Sequence, residues 1–129
     1  MRPLGVHHVS LNVDDVEAAL AFYVDDLGLT VRADRPDFDF GGAWLDVGGQ
    51  QVHLIEGAVP TQRGQHFALE VADLDAAVAE LRARGLTVTD PVSVGRARQA
   101  FLDDPAGNRV ELQQRPTGAS ARRVPPEDA

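Results

Sequence analysis

The sequence predicts an α+β fold made of two copies of one strand–helix–three-strand unit. The first observation behind this is an internal repeat. At an offset of 58 residues, HVSLNVDDVEAALA (8–21) lies over HFALEVADLDAAVA (66–79), and seven of the fourteen positions are identical. The offset then shortens by one. GLTV at 28–31 meets GLTV at 85–88, and WLD at 44–46 meets FLD at 101–103. A one-residue insertion restores the offset of 58, so that VHL at 52–54 falls on VEL at 110–112. The second observation is that hydrophobic periodicity within each copy passes from two to 3.6 and back to two.

Each element follows from its pattern. Val6 to Val13 alternates, with Val9, Leu11 and Val13 on one face and His8, Ser10 and Asn12 on the other, which predicts a half-buried strand. Asp14 or Asp15 then offers an N-cap. Val16, Leu20, Tyr23 and Leu27 follow at the spacing of an amphipathic helix, and Gly28 is placed to stop it. Extended pieces are expected near 29–34, 43–48 and 51–56, the last two joined by a Gly48-Gly49 hairpin turn. The second copy predicts a strand at 66–72, then a helix at 73–84 with Leu74, Val78 and Leu81 inward and Gly85 as its stop. Strands near 86–89, 97–103 and 109–114 complete it, with DPAGN (104–108) as the final turn. One domain is expected over 1–115: module one at 5–56, a linker at 57–64 and module two at 65–114. The aperiodic tail, 116–129, rich in Pro, Arg and small residues, is expected to be mobile.

Composition narrows the function. The chain has 129 residues, 43% of them hydrophobic and 25% charged, as in an ordinary water-soluble domain. No run reaches membrane-spanning length, the N-terminus lacks a secretory pattern, and a cytoplasmic location is expected. A net charge of −8 argues against nucleic acid as a partner. With no cysteine, disulfides and thiolate metal sites are excluded.

If helices cover one face of each sheet, the other face lines a cavity or an interface. Parity gives that second face His8, Ser10 and Asn12 from the first strand and His53 and Ile55 from the fourth. From module two it takes His66, Ala68 and Glu70, then Glu111 and Gln113. His8 and His66 are repeat partners, and so are His53 and Glu111. Closing two such units about a pseudo-two-fold axis lets all four converge. Three imidazoles and a carboxylate suit a divalent first-row ion: Fe, Ni, Co, Mn or Zn. His7 has the wrong parity and its partner is Gln65, so it is read as a surface residue. Trp44 and Phe101 share the cavity parity, and with Phe38 and Phe40 they would suit an aromatic or apolar substrate. Asn12 is a further candidate for substrate contact.

These motifs resemble the vicinal oxygen chelate superfamily of glyoxalases, epimerases, fosfomycin transferases, extradiol dioxygenases and bleomycin-binding proteins. The resemblance runs over about residues 5–114 and rests on HHVSLNVDDVEAALAFYVDDLGL, VHLIE, QHFALEVADLDAAVAELRARG and FLDDPAGNRVEL. It implies two βαβββ modules forming a cupped, barrel-like mixed sheet around a metal, with His8, His66 and Glu111 at the family's ligand positions. The fourth ligand, a carboxylate or amide in the glyoxalase and epimerase branches, falls on His53. Arg96 and Arg98 do not make the basic pocket of the fosfomycin branch, since by parity with Leu102 they point away from the cavity. Under the resemblance the expected activity is isomerase, epimerase or lyase chemistry on a small substrate with vicinal oxygens. The metal stabilises an enediolate or enolate, and Glu111 is the catalytic base. The alternatives are an Fe(II) extradiol-type dioxygenase and a non-catalytic bleomycin-type binding protein. A homodimer is expected in any of these.

Overall fold

A computed structural model of the chain describes residues 1–116. The expected tail, 116–129, therefore falls outside the described residues except at Pro116. Among the described residues there are eight strands: β1 (His8–Val13), β2 (Thr30–Val31), β3 (Gly42–Val47), β4 (Gln50–Glu56), β5 (His66–Glu70), β6 (Val92–Val94), β7 (Ala97–Asp103) and β8 (Arg109–Gln114). They form two four-stranded sheets with orders β1-β4-β3-β2 and β5-β8-β7-β6, the same topology twice. In the first sheet β1 runs parallel to β4 while β3 is antiparallel to both β4 and β2, so the sheet is mixed. Both βαβββ modules are therefore present, as two separate sheets and not one hydrogen-bonded barrel. Among the described residues no helix is long and apolar enough to cross a membrane.

The helices begin alike. Asp15 and Asp73 are both extended, and each accepts a 3.0 Å bond from the amide three residues on, Ala18 and Ala76. Such a side chain satisfies an amide that the first turn leaves unbonded. The helices then diverge. α2 (Leu74–Ala83) is regular and buries Leu74, Val78 and Leu81 as its spacing predicts. α1 (Val16–Leu20) runs straight into a π-helical segment, Ala21–Asp26, closed by a Leu27 amide bond to the Phe22 carbonyl at 2.9 Å.

A π turn is an α turn with one residue added, and module one has one residue more between His8 and Gly28 than module two has between His66 and Gly85. The slip in the repeat and the π turn are one event. It also corrects the predicted stripe. Ala19, Phe22 and Tyr23 are the buried residues, at 1%, 2% and 0% exposure, whereas Val16, Leu20 and Leu27 are half-buried. Widening the turn lets the neighbours Phe22 and Tyr23 both face inward, edge to face at 4.9 Å.

Module two departs from expectation after Gly85. Residues 86–91 form no strand, and β6 lies at 92–94 instead. Pro91 has no amide to offer a ladder. The Thr89 hydroxyl takes up part of that role, accepting from the Phe101 amide at 2.8 Å while the Thr89 amide donates to the Phe101 carbonyl at 2.9 Å.

The chain divides into two compact units. One comprises Met1–Phe67 and Leu102–Val110, with a core that includes Val13, Phe22, Tyr23, Leu45, Val52, Leu54 and Val110. Within it the Tyr23 hydroxyl donates to Asp104 Oδ2 at 2.7 Å, and burial with the nearby Asp104 charge pushes that phenol far above its ordinary pKa. Asp104 Oδ1 accepts from the Ala106 and Asn108 amides, so one carboxylate holds the 104–108 turn. Asn108 Nδ2 in turn donates to Asp104 and to the Asn12 carbonyl of β1, both at 2.9 Å. The other unit includes Ala68–Phe101 and residues from Glu111 onward, with Leu74, Val78, Leu81, Val88, Ala100 and Leu112 in its core. In this unit Arg98 makes a two-pronged ion pair with Asp75 at 2.8 and 3.0 Å, on the helix side of β7 as its parity indicates.

Candidate functional site

The first sheet turns Val52 and Leu54 toward α1, each 1% exposed, which leaves His53 on the opposite face. Register places His53 opposite Ser10 of β1 and opposite Trp44 of β3, with His8 one step along, opposite Gln51. Adjacent strands lie about 4.8 Å apart, so rings on neighbouring strands stack. Trp44 lies on His53 at 4.4 Å and 9°, and His53 on His8 at 4.0 Å and 13°. His7 stands edge-on to His8 at 5.1 Å and is exposed, as its parity predicts.

His53 is 7% exposed, and Gln51 Oε1 lies 2.8 Å from its Nε2. Burial first, then the His8 and His7 charges, pushes its pKa below the ordinary imidazole value, so the ring is neutral at neutral pH. Nδ1 of His8 and Nδ1 of His7 are 2.9 Å apart, so one nitrogen donates and the other accepts.

The other two predicted ligands are placed as follows. His66 is exposed, with Nδ1 on the Gly64 carbonyl at 2.8 Å. Together with Ser10, Leu11, Phe67, Asn108 and Arg109 it lines a cavity of about 200 Å³. Glu111 is 7% exposed in its own unit, and its Oε2 accepts from Gln113 Nε2 at 3.1 Å. Among the described residues no three His, Asp or Glu side chains are grouped closely enough to hold an ion. Within the first unit, then, His8 and His53 come together and His66 does not join them.

The donors fit a metal in kind. All are nitrogen or oxygen, and each has one polar atom engaged by a neighbour: His7, Gln51, the Gly64 carbonyl or Gln113. Such outer partners fix the tautomer and ring orientation of metal-binding side chains.

Of the remaining candidates, Phe38 and Phe40 stack on each other at 4.9 Å in the irregular 32–41 segment, each 42% exposed. Asn12 directs its side-chain amide to the Ala58 carbonyl at 2.8 Å, which ties the linker to β1. Phe101 is half-buried on β7. Sequence reasoning passed over Gln51 and Arg35. Gln51 had a signal, since it sits two residues before His53 and so on the same face. Arg35 had none, because its contacts with Phe38 and Phe40 depend on how an irregular loop folds.

The family model described as the Glyoxalase/Bleomycin resistance protein/Dioxygenase superfamily matches residues 5–112, nearly the whole described chain. The chain belongs to this superfamily. Among its relatives are the uncharacterized protein YaeR of Escherichia coli (32% identical, covering 84% of this chain and 95% of that one) and a 2-epi-5-epi-valiolone epimerase from Actinomyces sp (30%, covering 90% and 82%). A lactoylglutathione lyase of Salmonella typhimurium is 29% identical over 81% of this chain and 88% of its own. Among solved structures, a glyoxalase family protein from Bacillus anthracis matches with a TM-score of 0.75 at 27% identity, covering 88% of this chain and 98% of that one. TnmS3, an antibiotic binding protein from Streptomyces sp. CB03234, matches with a TM-score of 0.72 at 30% identity and the same coverage. The superfamily holds lactoylglutathione lyases, epimerases and a binding protein on one fold, so the reaction has to be argued from the site.

Proposed function

We propose that this superfamily member is a divalent-metal-dependent enzyme that moves a proton on a small substrate with vicinal oxygens, in isomerase, epimerase or lyase chemistry. One observation carries the reading: His8, His53, His66 and Glu111 are nitrogen and oxygen donors, each with at least one polar atom held by a neighbouring group. The lyase and epimerase relatives are consistent with it. These four residues would hold the ion: Fe, Ni, Co, Mn or Zn. When bound, such an ion draws charge from both oxygens of a chelating substrate and acidifies the neighbouring C–H.

Glu111 is the base. At 7% exposure its carboxylate is shielded from bulk water, and the Gln113 amide, donating to Oε2, helps to fix its orientation. Returning the proton to the same carbon gives epimerisation, and returning it to the next carbon gives isomerisation. His53 is held neutral, so no proton has to leave its ring before it can serve as a ligand.

A homodimer belongs to this reading. In it, His8 and His53 of each site come from one chain and His66 and Glu111 from the other. Elemental mass spectrometry of the untagged protein tests the metal. His66→Ala and Glu111→Ala should each lose it, and His7→Ala should keep it. Mixing His53→Ala with Glu111→Ala tests the dimer, because a mixed dimer regains one intact metal site. Failure to regain any metal on mixing would put each site within one chain. Absence of metal after reconstitution would favour a second reading, a binding protein without chemistry. The antibiotic-binding neighbour and the exposed Phe38–Phe40 pair favour that alternative.

A further inference from the structure

We propose that Trp44 and Phe38 form a wedge that clamps a planar aromatic ring of the ligand. The two stand 6.3 Å apart between centroids and are tilted by 53°. His53 lies flat on Trp44 at 4.4 Å, and Phe40 lies flat on Phe38 at 4.9 Å. Strand order β1-β4-β3-β2 places His53 on the β4 side of Trp44, so the other indole face turns toward β2 and the segment that follows it. Phe38 rises from that segment. Two aromatic faces that sandwich a third ring sit about 7 Å apart, twice a stacking contact. Bringing the two planes parallel from their present 53° tilt, at a centroid distance already near that value, would make such a slot.

The two rings differ in how they are held, as a clamp requires. Trp44 is half-buried on a strand and locked in a three-ring row, whereas Phe38 sits in an irregular segment, free of ladder bonds, at 42% exposure. That segment is braced from within. The Arg35 guanidinium lies over Phe38 at 4.9 Å and over Phe40 at 5.6 Å, and its Nη2 donates to the Phe40 carbonyl at 2.8 Å. The brace holds the phenylalanine pair together, so Phe38 moves with Phe40 behind it. Two large apolar rings exposed side by side are costly for a surface that binds nothing. A ligand ring in the slot would extend the stack that already runs through His53 to His8.

This inference rests on the proposed reading by naming its substrate class: a molecule whose vicinal oxygens are attached to a flat aromatic group. The test uses mandelate and hexahydromandelate, 2-hydroxy acids of nearly equal size with a planar and a puckered ring. Trp44 is the chain's single tryptophan, so its fluorescence reports the slot directly. In the chelator-treated protein, mandelate should quench Trp44 and bind about tenfold more tightly than hexahydromandelate, the gain expected from two aromatic faces. Phe38→Ala should erase that preference, while Val94→Ala, at an exposed valine of β6, should keep it. Equal binding of the two acids overturns the wedge, as does an unchanged preference in Phe38→Ala or no quenching up to tens of millimolar. The metal reading fails separately. Adding Ni(II) or Mn(II) should tighten both acids alike, and no tightening with the ring preference intact would remove the metal and leave the wedge.

Discussion

Tyr23 is the chain's single tyrosine, and the sequence contains neither lysine nor cysteine. Between about pH 9 and pH 12 its phenol is therefore the one side chain with an ordinary pKa in range. In the folded chain it is fully buried and donates to Asp104, and both facts disfavour the phenolate. The folded pKa lies above the unfolded one, so the unfolded chain loses its proton first. Stability from this group is complete below about pH 10 and is lost as pH rises beyond it, at about 1.4 kcal/mol per pH unit. By pH 11.5 the loss is about 2 kcal/mol. Urea titrations at pH 8 and pH 11.5 measure it, and absorbance at 295 nm follows the phenolate. In Tyr23→Phe the alkaline loss should vanish. The same variant should be weaker at pH 8 by about 1.5–3 kcal/mol, the value of a buried hydrogen bond to a carboxylate. If the phenolate appears with a midpoint near pH 10 while the circular dichroism spectrum stays native, the hydroxyl is not held as described and the argument fails.

The neighbouring network gives a second expectation: Asn108→Ala severs the ties to the Asn12 carbonyl and to Asp104, costing about 1–2 kcal/mol. Combined with Tyr23→Phe in a double-mutant cycle it should be non-additive, because both changes act on Asp104. Gly42→Ala drives a methyl group into the Leu54 carbonyl across the β3–β4 pair, and a loss of about 3 kcal/mol or more is expected by thermal unfolding. Asp15→Ala and Asp73→Ala should each cost about 1 kcal/mol, with similar losses since the two caps share one geometry.

Much of the fold was legible because a duplicated sequence states each element twice. The cap at Asp15, one of the two aspartates offered, the stops at Gly28 and Gly85 and the 104–108 turn all stand where the pattern puts them, while Asp73 caps the second helix from just outside it. Two elements were not legible. The π turn escaped because a stripe drawn at 3.6 residues per turn assumes a uniform helix, although the one-residue slip was in view. The strand after Gly85 escaped because Pro91 moves the pairing downstream, a tertiary effect on a segment with good β-forming residues. Parity put His53 on the face opposite Val52 and Leu54, where it stacks between Trp44 and His8. Parity says which face a side chain takes and nothing of what it then leans on. The ring row from Trp44 to His8, and the hold of Gln51 on His53, follow from strand spacing and rotamers that no periodicity encodes.

The extra residue in the first helix also bears on rebuilding the protein. A designer who wrote this chain as two identical halves, copying the shorter helix into both, would gain a perfect tandem and forfeit the placement of Phe22 beside Tyr23. With it would go the phenol's reach to Asp104, and so the fastening of the 104–108 turn. Copying the longer helix instead would force a bulge where α2 has Leu74, Val78 and Leu81 in regular register. The symmetry of the duplication has to be broken at this one place, and its two halves are not interchangeable parts.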